Sequence, residues 1–289
     1  MLSSCWADNP VEETMTMRPA APLALTCLAA LLVGCQTPPP TSPEAVGEFR
    51  KGSGYLNGYL NPKQLPNSLA LLPPPPAAGS AQAAADMETF KSTRALRDTP
   101  RWALATKDAN LKFPAAASTY ECALQIPISQ EATPNLNMLL RRTLLDAGLS
   151  TYAAKDHYNR QRPFVVAGAP TCTPAEEPAL AKDGSYPSGH SALGWAWALV
   201  LVQAAPQRMD ALLQRGYAFG QSRVICGVHW QSDVDAGRVI GAAAVARLQT
   251  DDTFKAQLAL ARDEIAQAQA KGLKPSGDCA AEAAALAIR

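Results

Sequence analysis

Histidine is scarce in this chain. The 289 residues include only His157, His190 and His229. No C-x-x-C pair and no Cys/His spacing of the metal-ligand kind occurs, so a structural zinc site has no support. No acidic cluster of the kind that holds Mg²⁺ is present either. Net charge is +1, which excludes bulk attraction to nucleic acid or to an anionic membrane surface. Apolar runs stop short of the roughly 20 residues that span a bilayer. Alternating strand patterns are missing. What remains is 47% hydrophobic residues, enough for a sizeable core in one large domain or two small ones.

The first 35 residues read as an export signal. Met17-Arg18 gives a basic start, Leu23 to Val33 is nearly all apolar, and Leu32-Val33-Gly34-Cys35 closes the run. That ending resembles a bacterial lipobox, which implies cleavage before Cys35 and a lipid on its sulfur; an ordinary cleaved signal is the rival reading. Asp8, Glu12 and Glu13 fit such a leader badly, so the natural start is expected at Met15 or Met17. The only membrane contact expected is this anchor. Export leaves Cys122, Cys172, Cys226 and Cys279, an even set that suggests two disulfides with three pairings open.

Residues 36–80 are a Pro-rich tether and extended arm, expected to pack on the domain through Tyr55, Tyr59, Leu69 and Leu71. Residues 81–273 read as a single all-α domain, and 274–289 as a C-terminal tail. Good helix formers predict helices near 81–94, 99–110, 134–147, 150–161, 191–204, 207–222, 233–249 and 251–271. Pro134 suits a first turn, Gly148 and Gly272 suit helix ends, and Asp251 or Asp252 suits a cap. Residues 164–187 and 223–231 read as irregular. The apolar segment 192–202 is the expected central core helix.

Three clusters carry chemistry. Lys155 and Arg162 stand seven apart, two helical turns, which would put both on one helix face; Pro163 pushes Arg162 out of helical geometry. Gly184-Ser185-Tyr186-Pro187-Ser188-Gly189-His190-Ser191 is a polar turn opening a buried helix, where unpaired N–H groups and the helix dipole favour an anion. In Ser222-Arg223-Val224-Ile225-Cys226-Gly227-Val228-His229-Trp230-Gln231-Ser232-Asp233, Ser232 is expected to cap the next helix with Asp235 as partner. Asp233 lies four residues beyond His229, within reach of its imidazole. Each cluster alone fits a solvated helix end, a turn or a core histidine. Together they supply three cations, helix-start donors and two imidazoles, which is what phosphoryl transfer requires. With no metal set visible, arginine and lysine would take the metal's place, and no cofactor is expected.

In order and spacing, Lys155…Arg162-Pro163, then Pro187-Ser188-Gly189-His190, then Ser222-Arg223…His229…Asp233 resembles the three-part motif of the type 2 phosphatidic-acid-phosphatase superfamily. The stretch 184–191, with Leu71-Leu72-Pro73-Pro74-Pro75-Pro76 and Asp108-Ala109-Asn110-Leu111, resembles the bacterial class A non-specific acid phosphatases. The resemblance runs over roughly residues 55–245. It implies the helical bundle shared with the vanadium haloperoxidases and metal-independent hydrolysis of phosphomonoesters in the periplasm by a homo-oligomer. By position, His229 would be the nucleophile, forming a phosphohistidine, with Asp233 orienting it. His190 would protonate the leaving oxygen and later activate water. Lys155, Arg162, Ser188, Gly189 and Arg223 would cradle the phosphoryl oxygens. The alternatives are a vanadium-dependent haloperoxidase, whose vanadate site resembles this one, and a non-enzymatic anion-binding envelope lipoprotein.

Overall fold

The apolar segment forms the axis of the molecule. In the computed structural model, which describes residues 37–288, Gly189–Ala204 is a helix buried on nearly every side, through Leu193, Ala196, Trp197, Val200 and Leu201 among others. Removing such side chains from water contributes roughly 1.5–3 kcal/mol each for the larger ones. Trp197 fills the centre, with its indole N–H donating to the Leu140 carbonyl at 2.8 Å. The Phe113 and Tyr120 rings meet it edge-on, centroids 6.3 and 6.1 Å away.

In chain order the principal helices are α1 (Ala81–Thr93), α2 (Pro100–Asp108), α3 (Pro134–Leu149), α4 (Tyr152–Tyr158), α5 (Pro163–Ala167), α6 (Gly189–Ala204), α7 (Met209–Cys226), α8 (Gln231–Leu248), α9 (Asp252–Ala270) and α10 (Cys279–Ala287). Among the described residues the only β pairing is a bridge between Glu48 and Leu56. α6 packs against α7, α8 and α3, and α9 packs against α3. Gly241 permits the α8 contact: a Cβ there would stand 2.3 Å from the Ala192 carbonyl oxygen. No helix among the described residues is long and apolar enough to cross a membrane. The leader and Cys35 lie outside the described residues.

Local chemistry explains several ends. Pro134 opens α3, Asp251 caps α9 by accepting from Phe254 N–H at 2.8 Å, and Gly272 follows α9 with φ +67°. Other expectations need correction. Gly148 lies inside α3, which ends one residue later at Leu149 with Ser150 as its cap. The helix expected to 161 stops at Tyr158, because Asn159 takes a left-handed conformation (φ 39°). The stretch 164–187 holds most of α5 and a short helix, Glu177–Leu180. α7 continues through Arg223 to Cys226. The tail 274–289 contains α10, capped by Asp278.

The arm packs closely on the bundle from Leu56 onward. Asp146, buried on α3, accepts the backbone N–H groups of Tyr59 and Leu60 at 2.8 and 3.2 Å. Tyr59 packs edge-on against Phe254 and beneath Arg142. Tyr55 is half-buried and Leu69 partly so, but Leu71 is 52% exposed and Leu72 takes the buried place expected for it. The phenol of Tyr186 donates to the Pro73 carbonyl at 2.8 Å, tying the proline run to the 184–191 turn. The disulfides are Cys122–Cys279 and Cys172–Cys226, which resolves the three open pairings.

Candidate active site

α7 ends where Gly227 turns to φ +83°, a left-handed conformation that favours glycine. Arg94 donates to the released carbonyls of Val224 and Ile225. The chain doubles back so that the Val228 and His229 N–H groups both bond the Arg223 carbonyl, at 3.2 and 3.3 Å. This places His229, 3% exposed, just before α8. Its Nδ1 lies 3.4 Å from Asp233 Oδ2 and its Nε2 lies 3.0 Å from Arg162 Nη1. With Arg162 as donor, Nε2 is the acceptor, so the ring proton sits on Nδ1 facing the carboxylate.

The cap of α8 differs from expectation. Ser232 is inside the helix and Trp230 is the cap residue; Asp233 Oδ2 accepts the Trp230 N–H at 2.8 Å. Asp233 is fully buried, and its other oxygen accepts Arg160 Nη1 at 2.6 Å. Burial pushes the Asp233 carboxyl up, while Arg160 pulls it back toward the ionised form. Arg160 Nη2 reaches Asp86 at 2.8 Å, and Asp86 in turn accepts the Ser232 N–H and hydroxyl. Ser232's hydroxyl is thus drawn to α1 rather than to the start of its own helix. Arg160 and Asp86 escaped the sequence reading. They stand 74 positions apart, and the only hint was an arginine between two assigned cations.

The cations converge on the same cavity. Arg162 is the extended residue before α5 (φ −77°, ψ 150°), so Lys155 and Arg162 approach from a helix and a loop rather than from one helix face. Arg162 Nε donates to the Leu180 and Asp183 carbonyls at 2.9 and 3.0 Å, Nη1 to Val228 O, and Nη2 to the Asp183 carboxylate at 2.9 Å. Lys155 Nζ donates to Gly184 O at 2.6 Å and lies 3.8 Å from Asp183. Its burial lowers the amine to about 8. Arg223 differs from both. It is 1% exposed, and its Nε and Nη1 have no hydrogen-bond partner among the described residues. Burial lowers its guanidinium to about 10. An unpaired buried guanidinium is costly unless an anion completes it.

Ser188 caps α6, its hydroxyl oxygen accepting from the Ser191 N–H at 3.2 Å and the Ser191 hydroxyl at 2.9 Å. Its backbone N–H donates to the Asp233 carbonyl, coupling the starts of α6 and α8. Gly189 and His190 form the first turn of α6. His190 Nε2 lies 3.0 Å from the Ala109 carbonyl, to which it donates, and the ring stacks near Phe219. Ala109 follows α2, whose last residue Asp108 is held by Arg215 Nη2 at 2.5 Å and by the Ser222 hydroxyl at 2.6 Å. Burial and the neighbouring cations hold both His190 and His229 well below the usual histidine value.

Lys155, Arg162, Gly189, His190, Arg223 and His229 all line one cavity of about 680 Å³. Asp233 stands behind His229, and Ser188 lies beneath the first turn of α6. The cavity is in the size range of pockets for whole small molecules, so it has room beyond a phosphoryl group.

On this all-α bundle an imidazole backed by a carboxylate shares one cavity with three buried cations. The model of the PAP2 superfamily matches residues 136–253, which include every cation, imidazole and carboxylate assigned above. The chain is 47% identical to a non-specific acid phosphatase of Providencia stuartii over 210 residues, 72% of this chain and 85% of the relative. It is 44% identical to a non-specific acid phosphatase of Salmonella typhi, over 73% of this chain and 84% of the relative. It is 41% identical to an acid phosphatase of Zymomonas mobilis, over 72% and 78%. The chain belongs to the PAP2 superfamily and, within it, to the class A non-specific acid phosphatases.

Proposed function

We propose that the protein is an acid phosphatase that hydrolyses phosphomonoesters through a phosphohistidine at His229, without a metal ion. The observation that carries this reading is Arg223: a buried guanidinium with two unpartnered nitrogens, in the same cavity as an imidazole whose Nδ1 is held by Asp233. An entering phosphoryl group supplies the acceptors that Arg223 lacks. It also draws Arg162 Nη1 away from His229 Nε2, freeing that lone pair for in-line attack.

In the first step the His229 Nε2–P bond forms as the P–O bond to the leaving group breaks. The leaving oxygen takes a proton from His190. In the second step water attacks phosphorus, gives its proton to His190, and the N–P bond breaks to release phosphate. Asp233 stabilises the imidazolium formed in between. Lys155, Arg162 and Arg223 hold the oxygens on which charge changes, and the Ser188 hydroxyl and Gly189 N–H add neutral donors. Without an anion, burial and then the neighbouring cations hold His190 well below the usual histidine value. The substrate's own negative charge opposes that effect and lets His190 carry the proton it must donate.

Rapid quench with a ³²P-labelled monoester is the test. Acid-labile, base-stable label on the peptide containing His229, absent from His229→Ala, is the expected result. Full turnover by His229→Ala would overturn the assignment. The 17–35 leader pattern and the two disulfides suit an oxidising compartment. A lipid on Cys35 belongs to the same proposal, and intact-mass analysis of the membrane fraction would detect it.

A further inference from the structure

The outer wall of the cavity comes from an unexpected source, the loop 47–55 at the head of the arm. This loop precedes residues 55–245, on which the family resemblance rests. It is built as a firm turn. The Glu48 carboxylate accepts the N–H groups of Gly52 and Gly54 at 2.5 and 2.9 Å. Phe49 N–H donates to Tyr55 O at 2.8 Å and Ser53 N–H to Arg50 O at 2.9 Å. Lys112 Nζ donates to Ser53 O at 2.5 Å while lying over the Tyr55 ring. The turn thereby presents Phe49, Arg50 and Tyr55 to the cavity that holds His229.

Among the loop residues that line the cavity, Arg50 alone is charged. Its guanidinium lies over the Phe49 ring, 5.3 Å from the centroid, and takes part in no ion pair or side-chain hydrogen bond among the described residues. The cavity therefore holds four cations, Arg50, Lys155, Arg162 and Arg223, against one carboxylate, Asp183, already paired with Arg162 and Lys155. A phosphomonoester carries about two negative charges near neutrality, and the three inner cations are placed to take them. Arg50 is left over, at the rim, next to an apolar surface of Phe49, Tyr55, Leu144 and Tyr152.

We propose that Arg50 is a specificity residue for the leaving group, and that it favours phosphomonoesters whose leaving group has an apolar body bearing a second anionic group, a carboxylate or another phosphate. The inference rests on the phosphatase reading above. Arg50 touches the far end of the substrate rather than the reacting atoms, so its effect is on KM and on selectivity between substrates.

The test compares phenyl phosphate with 3- and 4-carboxyphenyl phosphate in the full chain and in Arg50→Ala, Arg50→Glu and Arg50→Lys. The quantity read is the ratio of kcat/KM for each carboxylated ester to that for phenyl phosphate, which cancels the intrinsic reactivity of each ester when variants are compared. For at least one isomer the ratio is expected to fall about three- to tenfold in Arg50→Ala, the scale of a partly exposed arginine–carboxylate contact. It falls further in Arg50→Glu, stays within about twofold in Arg50→Lys, and the difference shrinks at high salt. A ratio unmoved in Arg50→Ala and Arg50→Glu for both isomers overturns the proposal. So does an equal fall in Arg50→Lys and Arg50→Ala, which would assign the effect to the shape of the loop. If the parent chain hydrolysed none of the three esters, the phosphatase reading would be the one to fail.

Discussion

Arg160 Nη1 lies 2.6 Å from Asp233 Oδ1, on the opposite oxygen from the one that faces His229. The carboxylate proposed to orient the imidazole is itself held in place, and Asp86 anchors the arginine at 2.8 Å. Arg160→Lys keeps the charge but loses the planar fork that spans two carboxylates. It is expected to lower kcat on the order of 10–100-fold, the range seen when a group that orients a ligating imidazole is removed, with KM little changed. Arg160 also opposes the upward push of burial on Asp233. Weakening it raises that carboxyl further, so the acid limb of kcat moves to higher pH. A steady-state series from pH 4 to 8 reads both effects; an unmoved limb with raised KM would count against this role.

The depressed histidines make a separate prediction about the free protein. Both folded-state values lie below the unfolded value of about 6.5. Below that pH the unfolded chain binds more protons, so their contribution to stability is present above about 6.5 and is lost as pH falls toward the folded values. Denaturant melts should show this decline, and ¹⁵N imidazole spectra should show His190 and His229 neutral at pH 6.5. Adding inorganic phosphate should move His190 upward. Titration of His190 at or above 6.5 without phosphate would be the contrary result.

On the alkaline side Lys155 sets the limit. Its amine is lowered to about 8 by burial. As pH rises through that value the free enzyme loses one of the three charges proposed to bind the phosphoryl group, so kcat/KM is expected to fall there while kcat at saturation falls less. A kcat/KM plateau extending past pH 10 would contradict it.

If Arg223 binds the phosphoryl group as proposed, it trades stability for binding. Arg223→Met removes an unpaired buried charge and should leave the phosphate-free melting temperature unchanged or higher. The parent gains about 2.7 kcal/mol from phosphate at 100 times its Kd, and the variant should lose that gain. Thermal melts with and without phosphate decide; a variant that melts lower and still responds to phosphate fails the prediction.

The Cys122–Cys279 bond fastens α10 beside the buried cluster under His190. Glu282 of that helix lies 3.5 Å from Arg215 Nε, and Arg215 holds Asp108, next to the Ala109 carbonyl that receives His190. Cys122→Ala/Cys279→Ala is expected to reduce stability by about 2–5 kcal/mol and to lower kcat modestly. Melts and kinetics on the double variant measure it; unchanged stability would show that α10 docks without the bond.

The membership of the cavity was more legible in the sequence than its geometry. His229, Asp233, His190 and the cations stand out by residue type and spacing, and the structure brings them to one place. The one-face argument for Lys155 and Arg162 fails because Asn159 ends α4 early, and left-handed asparagine leaves little trace in composition. Ser232 looked like a cap because it is a serine before a helix; Asp86, far away in the chain, claims its hydroxyl. α10 falls in the stretch expected as tail, although Asp278 before an alanine-rich run is a legible start. The loop 47–55 was read as part of a tether because proline and glycine on either side mask a turn that Glu48 closes from within.

The two disulfides are nested: Cys172–Cys226 lies inside the ring closed by Cys122 and Cys279. Every assigned residue of the site, from Lys155 to Asp233, falls within that outer ring. Of the four paired cysteines, three stand before the end of the site at Asp233 and the fourth, Cys279, follows it. In an oxidising compartment entered from the N-terminus the inner bond can close once residue 226 has arrived, whereas Cys122 waits unpaired until residue 279 does. Order of oxidation, rather than final stability, is where a folding catalyst would act on this protein.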